Sequence, residues 1–251
     1  MLKEIVIAFQ SYLKAHRFIS KHKLWKWIII PGILYMAMFV LCMFFFGKTA
    51  TSTVDHFSSL LKDWVQSINL GWVSFLISIA GLLLWLLLML FYFSLFKYLF
   101  LIVGSPLFAY LSEKTESIMD GKDFPISLKQ LVKDMVRGIR LALRNTLWQT
   151  VYTIAVILLS FIPLVGWASP VLSLFIECYY YGFSMLDYSC ERHKLSTTQS
   201  ISFIGNHKGL AIGNGFVFYL MHLLPVVGWV LAPSYAVVAA TISLYHQKDE
   251  F

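Results

Sequence analysis

Charged side chains are scarce in this chain, so each one beside or inside an apolar run is a candidate for chemistry. Five recur with helical spacing. Lys129, Lys133, Arg137, Arg140 and Arg144 stand four, four, three and four residues apart. On an α-helix that spacing draws one cationic stripe. Leu128, Leu131, Val132, Met135, Val136 and Ile139 fill the remaining faces, chiefly the opposite one. A basic amphipathic helix over 128–145 is expected to lie on an inner leaflet and attract anionic lipids. The alternative is a vestibule wall that concentrates anions. Nucleic acid is not an expected partner, because no recognition fold accompanies the stripe.

Three further positions stand out within apolar surroundings. Glu177 lies seven residues past Pro170, about 10 Å along a helix. An intramembrane carboxylate is costly, so a proton-coupling or cation-contacting role is one reading. The other is a protonated or Lys-paired glutamate in a bundle interface. Ser169-Pro170 has the cap-then-proline order of a helix start, and Pro233-Ser234 repeats it more loosely. Helix N-termini carry unpaired N–H groups and partial positive charge, so Ser169 and Ser234 mark candidate anion-binding ends, or serve only to make turns. His222, on an apolar arm, reads as a packing residue. No nucleophile elbow, zinc-spaced histidine pair or phosphate loop is present, so an enzyme, a cofactor or a metal site is not expected.

The elements that must hold these residues are membrane elements. Of 251 residues, 59% are hydrophobic and 13% are charged, with a net charge of +7. That leaves too little polar surface to clothe a water-soluble globule, and too much Leu, Ile and Phe for disorder. A single all-α membrane domain over 1–251 is expected. Residues 28–46 and 71–103 are long enough to cross a bilayer core of about 30 Å. The run 71–103 is expected to end at Gly104-Ser105-Pro106. The three cysteines, Cys42, Cys178 and Cys190, have no metal-ligand spacing and read as free thiols. Residues 1–27 form a basic amphipathic segment, and the apolar run that follows is too long for the core of a cleavable signal.

The second half is patterned differently. Segments 147–186 and 210–246 each contain two apolar arms around a turn. The turns repeat as Pro163-Leu164-Val165-Gly166-Trp167 and Pro225-Val226-Val227-Gly228-Trp229, and each is followed by a second proline, Pro170 or Pro233. As helices the arms reach only about 18–24 Å. Uncharged turns on short arms predict two helix–break–helix hairpins that turn within the membrane or at its edge, the alternative being two ordinary hairpins of tilted or short spans with their turns at the outer interface. Lysine and arginine crowd into the N-terminal segment, 104–146 and 187–209, while the loop 47–70 is neutral. The positive-inside rule then puts both termini in the cytoplasm and 47–70 outside.

Several short stretches, in this order, resemble the CysZ-type sulfate permeases, whose membrane domain is shared with etoposide-induced-protein-like proteins. They are Lys26–Pro31, Gly104–Glu116, Phe161–Gly166 leading to Ser169–Leu172, Leu186-Asp187-Tyr188 before Arg192-His193, and Leu224-Pro225 leading to Ala232-Pro233 and Ala239-Ala240-Thr241. The resemblance runs from about residue 10 to 246. It implies two long spans, two half-membrane hairpins, homo-oligomers, an inner-membrane location and sulfate uptake for cysteine synthesis. It also implies an oxyanion at the start of the first span, held in the family by a glycine followed closely by two arginines. Here those positions carry Lys23, Trp25 and Lys26, with His22 close by, so Lys26, Lys23 and His22 are the expected anion contacts. A membrane permease or channel for a small oxyanion is therefore expected, most simply for sulfate. A non-transporting scaffold or lipid-interacting protein of the inner leaflet is the alternative.

Overall fold

The computed structural model describes residues 1–65, 71–121, 128–160 and 168–245. They form helices only: α1 (Leu2–Lys21), α2 (Trp25–Val65), α3 (Gly71–Asp120), α4 (Leu128–Ser160), α5 (Ser169–Arg192), α6 (Thr197–Asn206), α7 (Lys208–His222) and α8 (Val227–Tyr245). Among the described residues two helices are long and apolar enough to cross a membrane, Trp25–Leu61 within α2 and Val227–Tyr245. The expected span 71–103 falls inside α3. The first repeated turn, 163–167, lies outside the described residues.

The chain divides into two compact units, Met1–Met36 with Leu101–Phe251, and Ala37–Phe100. The second unit is an antiparallel pair built from parts of α2 and α3. The Tyr92 hydroxyl donates to the Phe39 carbonyl at 3.1 Å. Phe46 stacks on Tyr92 at 4.6 Å, and Phe39 meets Phe96 edge-on at 5.3 Å. Gly81 lets Ser58 approach, since a Cβ there would sit 3.2 Å from its hydroxyl. The segment expected to leave the membrane as a loop from residue 47 is helical as far as Val65. The hydroxyls of Thr49 and Thr53 fold back onto the carbonyls of Phe45 and Thr49, so these polar side chains are satisfied without breaking the helix.

In the first unit α8 is central. Every residue from Ala232 to Leu244 is buried, as expected of a helix that is apolar all round. The helix starts at Val227, after a short turn closed by Val226 at φ +62°, and it runs straight through Pro233. The break expected across 225–233 is therefore confined to its first residues. Proline removes one N–H donor, to the Trp229 carbonyl, and its fixed φ suits a helix otherwise held by packing on every side. The expected break at Gly104-Ser105-Pro106 is also absent, and α3 continues to Asp120. There the compensation is visible. Pro106 cannot donate to the Ile102 carbonyl, and the Ser105 hydroxyl donates to it instead, at 2.8 Å.

Within the loop expected over 187–209, α6 begins at a capping box. Ser196 accepts from the Gln199 N–H at 3.3 Å, and the Gln199 side chain accepts from the Ser196 N–H at 2.8 Å.

Glycines set the distances between the core helices. A Cβ on Gly182 of α5 would collide with the Ala211 carbonyl of α7, and one on Gly215 of α7 with the Cys178 carbonyl of α5. The two helices thus run antiparallel with backbones in contact, as small residues allow in apolar surroundings. Gly228 lies likewise on the Met221 carbonyl, and Gly32 on that of Val230. Replacing Gly182 by valine is expected to destabilise the purified protein by about 3 kcal/mol or to prevent folding. Gly47→Ala, inside α2 with nothing within 4 Å of the new Cβ, is expected to raise stability slightly, by up to about 1 kcal/mol. Thermal unfolding in detergent, read by circular dichroism, checks both.

Candidate functional site

The turn between α1 and α2 carries His22, Lys23 and Lys26, and all three are exposed. Its backbone is a Schellman cap. The Leu24 N–H reaches back to the Ile19 carbonyl at 3.0 Å, and the His22 N–H to that of Phe18 at 3.0 Å. Leu24 and Ile19 are both buried, which anchors the motif. Lys23 occupies the left-handed position of this cap, at φ +54°. Glycine adopts that conformation freely, while a lysine there costs about 1 kcal/mol. The first turn of α2 follows at once, so its unpaired N–H groups add partial positive charge beside the lysines.

Neighbouring contacts fix this turn to the core. The Tyr12 hydroxyl donates to the Asn214 carbonyl at 2.9 Å, His16 Nδ1 pairs with the Tyr235 hydroxyl at 2.8 Å, and Glu4 accepts from the Gly209 N–H at 2.9 Å. Ser234 belongs to the same junction. It lies well inside α8 rather than at a helix start, and its buried hydroxyl donates to the Ile28 carbonyl at 3.2 Å. Ser169 is the first residue of α5, whose N-cap is Ala168, and Pro170 follows it. The Ser169 hydroxyl is buried without a hydrogen-bond partner among the described residues.

Glu177 is half-buried at an interface of three helices. Gln149 of α4 donates to one carboxylate oxygen and the Tyr219 hydroxyl of α7 donates to the other, the latter at 2.8 Å. Neither donor is a lysine. His222 packs nearby, its Nε2 3.1 Å from the Tyr35 hydroxyl.

The cationic residues of α4 divide. Lys133 and Arg140 are exposed, and so are Val132 and Val136. The side chain of Lys129 lies outside the described residues. Arg144 leans over the Phe183 ring at 5.7 Å and donates to Asn145 at 3.0 Å. Arg137 is turned inward, with only 13% of its side chain exposed. Its guanidinium grips Asp187 through two bonds of 2.8 and 3.3 Å, and it also reaches Glu191 at 3.8 Å. It donates further to the Leu195 carbonyl and to Ser200. Burial alone would lower the Arg137 pKa, but the bonds to Asp187 and the adjacent carboxylates win, and the pKa rises. One side chain thus ties α4 to α5 and α6.

Other functional groups escaped notice in the sequence. Ser112 of α3, Ser189 of α5 and Thr241 of α8 form a buried triangle of hydroxyls with edges of 3.0–3.3 Å. His193 faces Glu116 at 3.4 Å. Among the described residues no group of His, Cys, Asp and Glu could hold a metal ion. None of the three cysteines is in a disulfide, and burial, followed by the charge of Asp187, pushes the Cys190 thiol up to about 12.

Removing Arg137 strands Asp187 and Glu191 in a buried site. Arg137→Met is expected to cost about 3–5 kcal/mol, and Arg137→Met with Asp187→Leu considerably less. Thermal unfolding of the single and double variants tests this. Cys190, a neutral and buried thiol at pH 8, is expected to resist maleimide in the folded protein and to react once the protein is unfolded.

The family model described as sulfate transporter CysZ and etoposide-induced protein 2.4 matches residues 11–233. The chain is 27% identical over 225 residues to a protein of Pseudomonas aeruginosa named sulfate transporter CysZ, covering 89% of this chain and 88% of that one. It is 26% identical over 218 residues to the protein of that name from Pseudomonas fluorescens, covering 86% and 83%. A match over nearly the whole membrane unit, on an all-helical fold with apolar spans, is decisive: the chain belongs to the family of sulfate transporter CysZ and etoposide-induced protein 2.4.

Proposed function

We propose that this chain is a permease or channel for a small oxyanion, and that the anion is sulfate taken up to feed cysteine synthesis. The observation that carries the reading is the α1–α2 turn, where exposed Lys23 and Lys26, with His22, stand at the opening of the long apolar helix α2. Membership of a family that contains proteins named sulfate transporters supports the choice of anion. A dianion must shed water to enter a bilayer, and fixed cations beside a helix N-terminus replace part of that hydration. The reading places the protein in an inner membrane, with both termini cytoplasmic and the chain assembled as a homo-oligomer. Segments 147–186 and 210–246 act as half-membrane hairpins that shorten the path. Lys133 and Arg140 hold α4 at the inner leaflet through anionic lipids. Glu177, bonded by Gln149 and Tyr219, is the group available for coupling in the apolar layer. No ATP hydrolysis by the chain itself is invoked.

Uptake of radiolabelled sulfate into proteoliposomes tests the reading. It is expected to exceed that of empty liposomes and to fall with unlabelled sulfate, sulfite or thiosulfate. Flux equal to empty liposomes, with no competition, sinks the proposal and leaves the scaffold reading. Lys23→Gly separates stability from function: it is expected to raise stability by about 1 kcal/mol, because glycine relieves the left-handed backbone, while slowing uptake. Lys26→Gln is expected to slow uptake with no gain in stability.

A further inference from the structure

Helix α1 has three faces rather than two. Successive residues step round a helix by about 100°. Ala8, Ser11, Tyr12, Ala15 and Ile19 point one way and are buried. About 130° round from them stand Leu2, Val6, Phe9 and Leu13, all exposed, Leu13 by 69%. A further turn of roughly 80° brings Lys3, Lys14, Arg17 and Lys21, and these are exposed too. The one carboxylate on α1, Glu4, is drawn off both outer faces to the Gly209 N–H. An apolar band and a cationic band therefore run side by side along the five turns of the helix, uninterrupted by negative charge from α1 itself.

We infer that this outer surface of α1 is a docking face for anionic phospholipid, with the apolar band sunk among the acyl chains and the cationic band on the headgroups. Charge complementarity selects the occupant. A protein partner would be served by the apolar band alone, but a continuous row of cations flanking it fits a sheet of phosphates. The two bands meet the headgroup and acyl layers together only if α1 lies flat in the interface. Its inner face is pinned to α7 and α8 through Tyr12, His16 and Glu4, so the body of the protein is held at a fixed depth by α1. The inference does not depend on sulfate being the permeant ion.

The experiment uses the full chain in neutral detergent micelles with a fluorescent short-chain phosphatidylglycerol, read by anisotropy, and the phosphatidylcholine analogue as reference. The wild type is expected to prefer phosphatidylglycerol about tenfold or more, with binding that weakens as salt rises. The triple variant Lys3→Gln, Arg17→Gln, Lys21→Gln is expected to lose most of that preference. Lys48→Gln, in the other compact unit, is expected to keep it. The charge-keeping variant Lys3→Arg, Arg17→Lys, Lys21→Arg is expected to bind as the wild type does, which guards against a folding defect. Equal binding of the two lipids by the wild type overturns the inference, as does a folded triple variant with undiminished preference. Loss of sulfate flux with lipid preference intact bears on the permease reading alone.

Discussion

Backbone-to-backbone contact is the constraint on which the core of the first unit depends. Helices in apolar surroundings gain little from excluding water from one another, so close packing and interhelical hydrogen bonds must hold them. Gly182, Gly215 and Gly228 let three carbonyls, those of Ala211, Cys178 and Met221, approach where a methyl group would not fit. That spacing encloses α8 from Ala232 to Leu244, and the polar side chains there must then be satisfied inside. Ser234 turns to the Ile28 carbonyl, Ser243 to that of Ala240, and Thr241 joins Ser112 and Ser189. The bonds of Ser234 and Thr241 to other helices form only because the helices are already close, while that of Ser243 stays within α8.

The same core carries α1. Tyr12 and His16 reach into α7 and α8, and the Schellman cap at 22–24 follows directly from where α1 ends. The cationic turn is therefore not a loose loop that happens to be basic. Its position is inherited, through α1, from the packing around α8. Arg137 has the corresponding role elsewhere, since the ion pair with Asp187 orients α4 against α5 and α6 and so decides which of its cations remain outside.

Much of this was legible in the sequence and some was not, for physical reasons. Apolar run length identified α2 and the membrane class, because bilayer thickness maps directly onto residue number. Spacing placed the five cations of α4 along one stripe, but it carries no information about Asp187 and Glu191, fifty residues on, which pull Arg137 inward. Proline signalled a break at 106 and 233. A neighbouring serine rescues the first, and enclosure by packing holds the second. Glu177 read as a carboxylate within an apolar run, and it stands half-buried where α4, α5 and α7 meet. Its partners, Gln149 and Tyr219, are neutral, so no charge pattern could have named them.

Lys23 is where stability and chemistry pull in opposite directions. The cap demands a left-handed residue, and the resemblance to CysZ-type permeases implies a glycine there followed by two arginines. This chain puts a lysine in the strained position and keeps one further cation, Lys26, so the number of positive charges is held while the backbone loses about 1 kcal/mol. Strain that persists at an exposed turn calls for a compensating role, since nothing in the packing requires the side chain. Lysine is a compact point charge, whereas arginine offers a planar fork matched to two oxygens of one anion. The anion site proposed at Lys23 and Lys26 would therefore attract by charge more than by shape, and would discriminate less among oxyanions of equal charge. If α1 rests on anionic headgroups, its cationic band and this turn share one layer of potential within a Debye length of about 8–10 Å. The lipids would then neutralise the band while leaving the turn as the nearest open positive charge, so the surface that anchors the protein would also set the field that a dianion meets on arriving at α2.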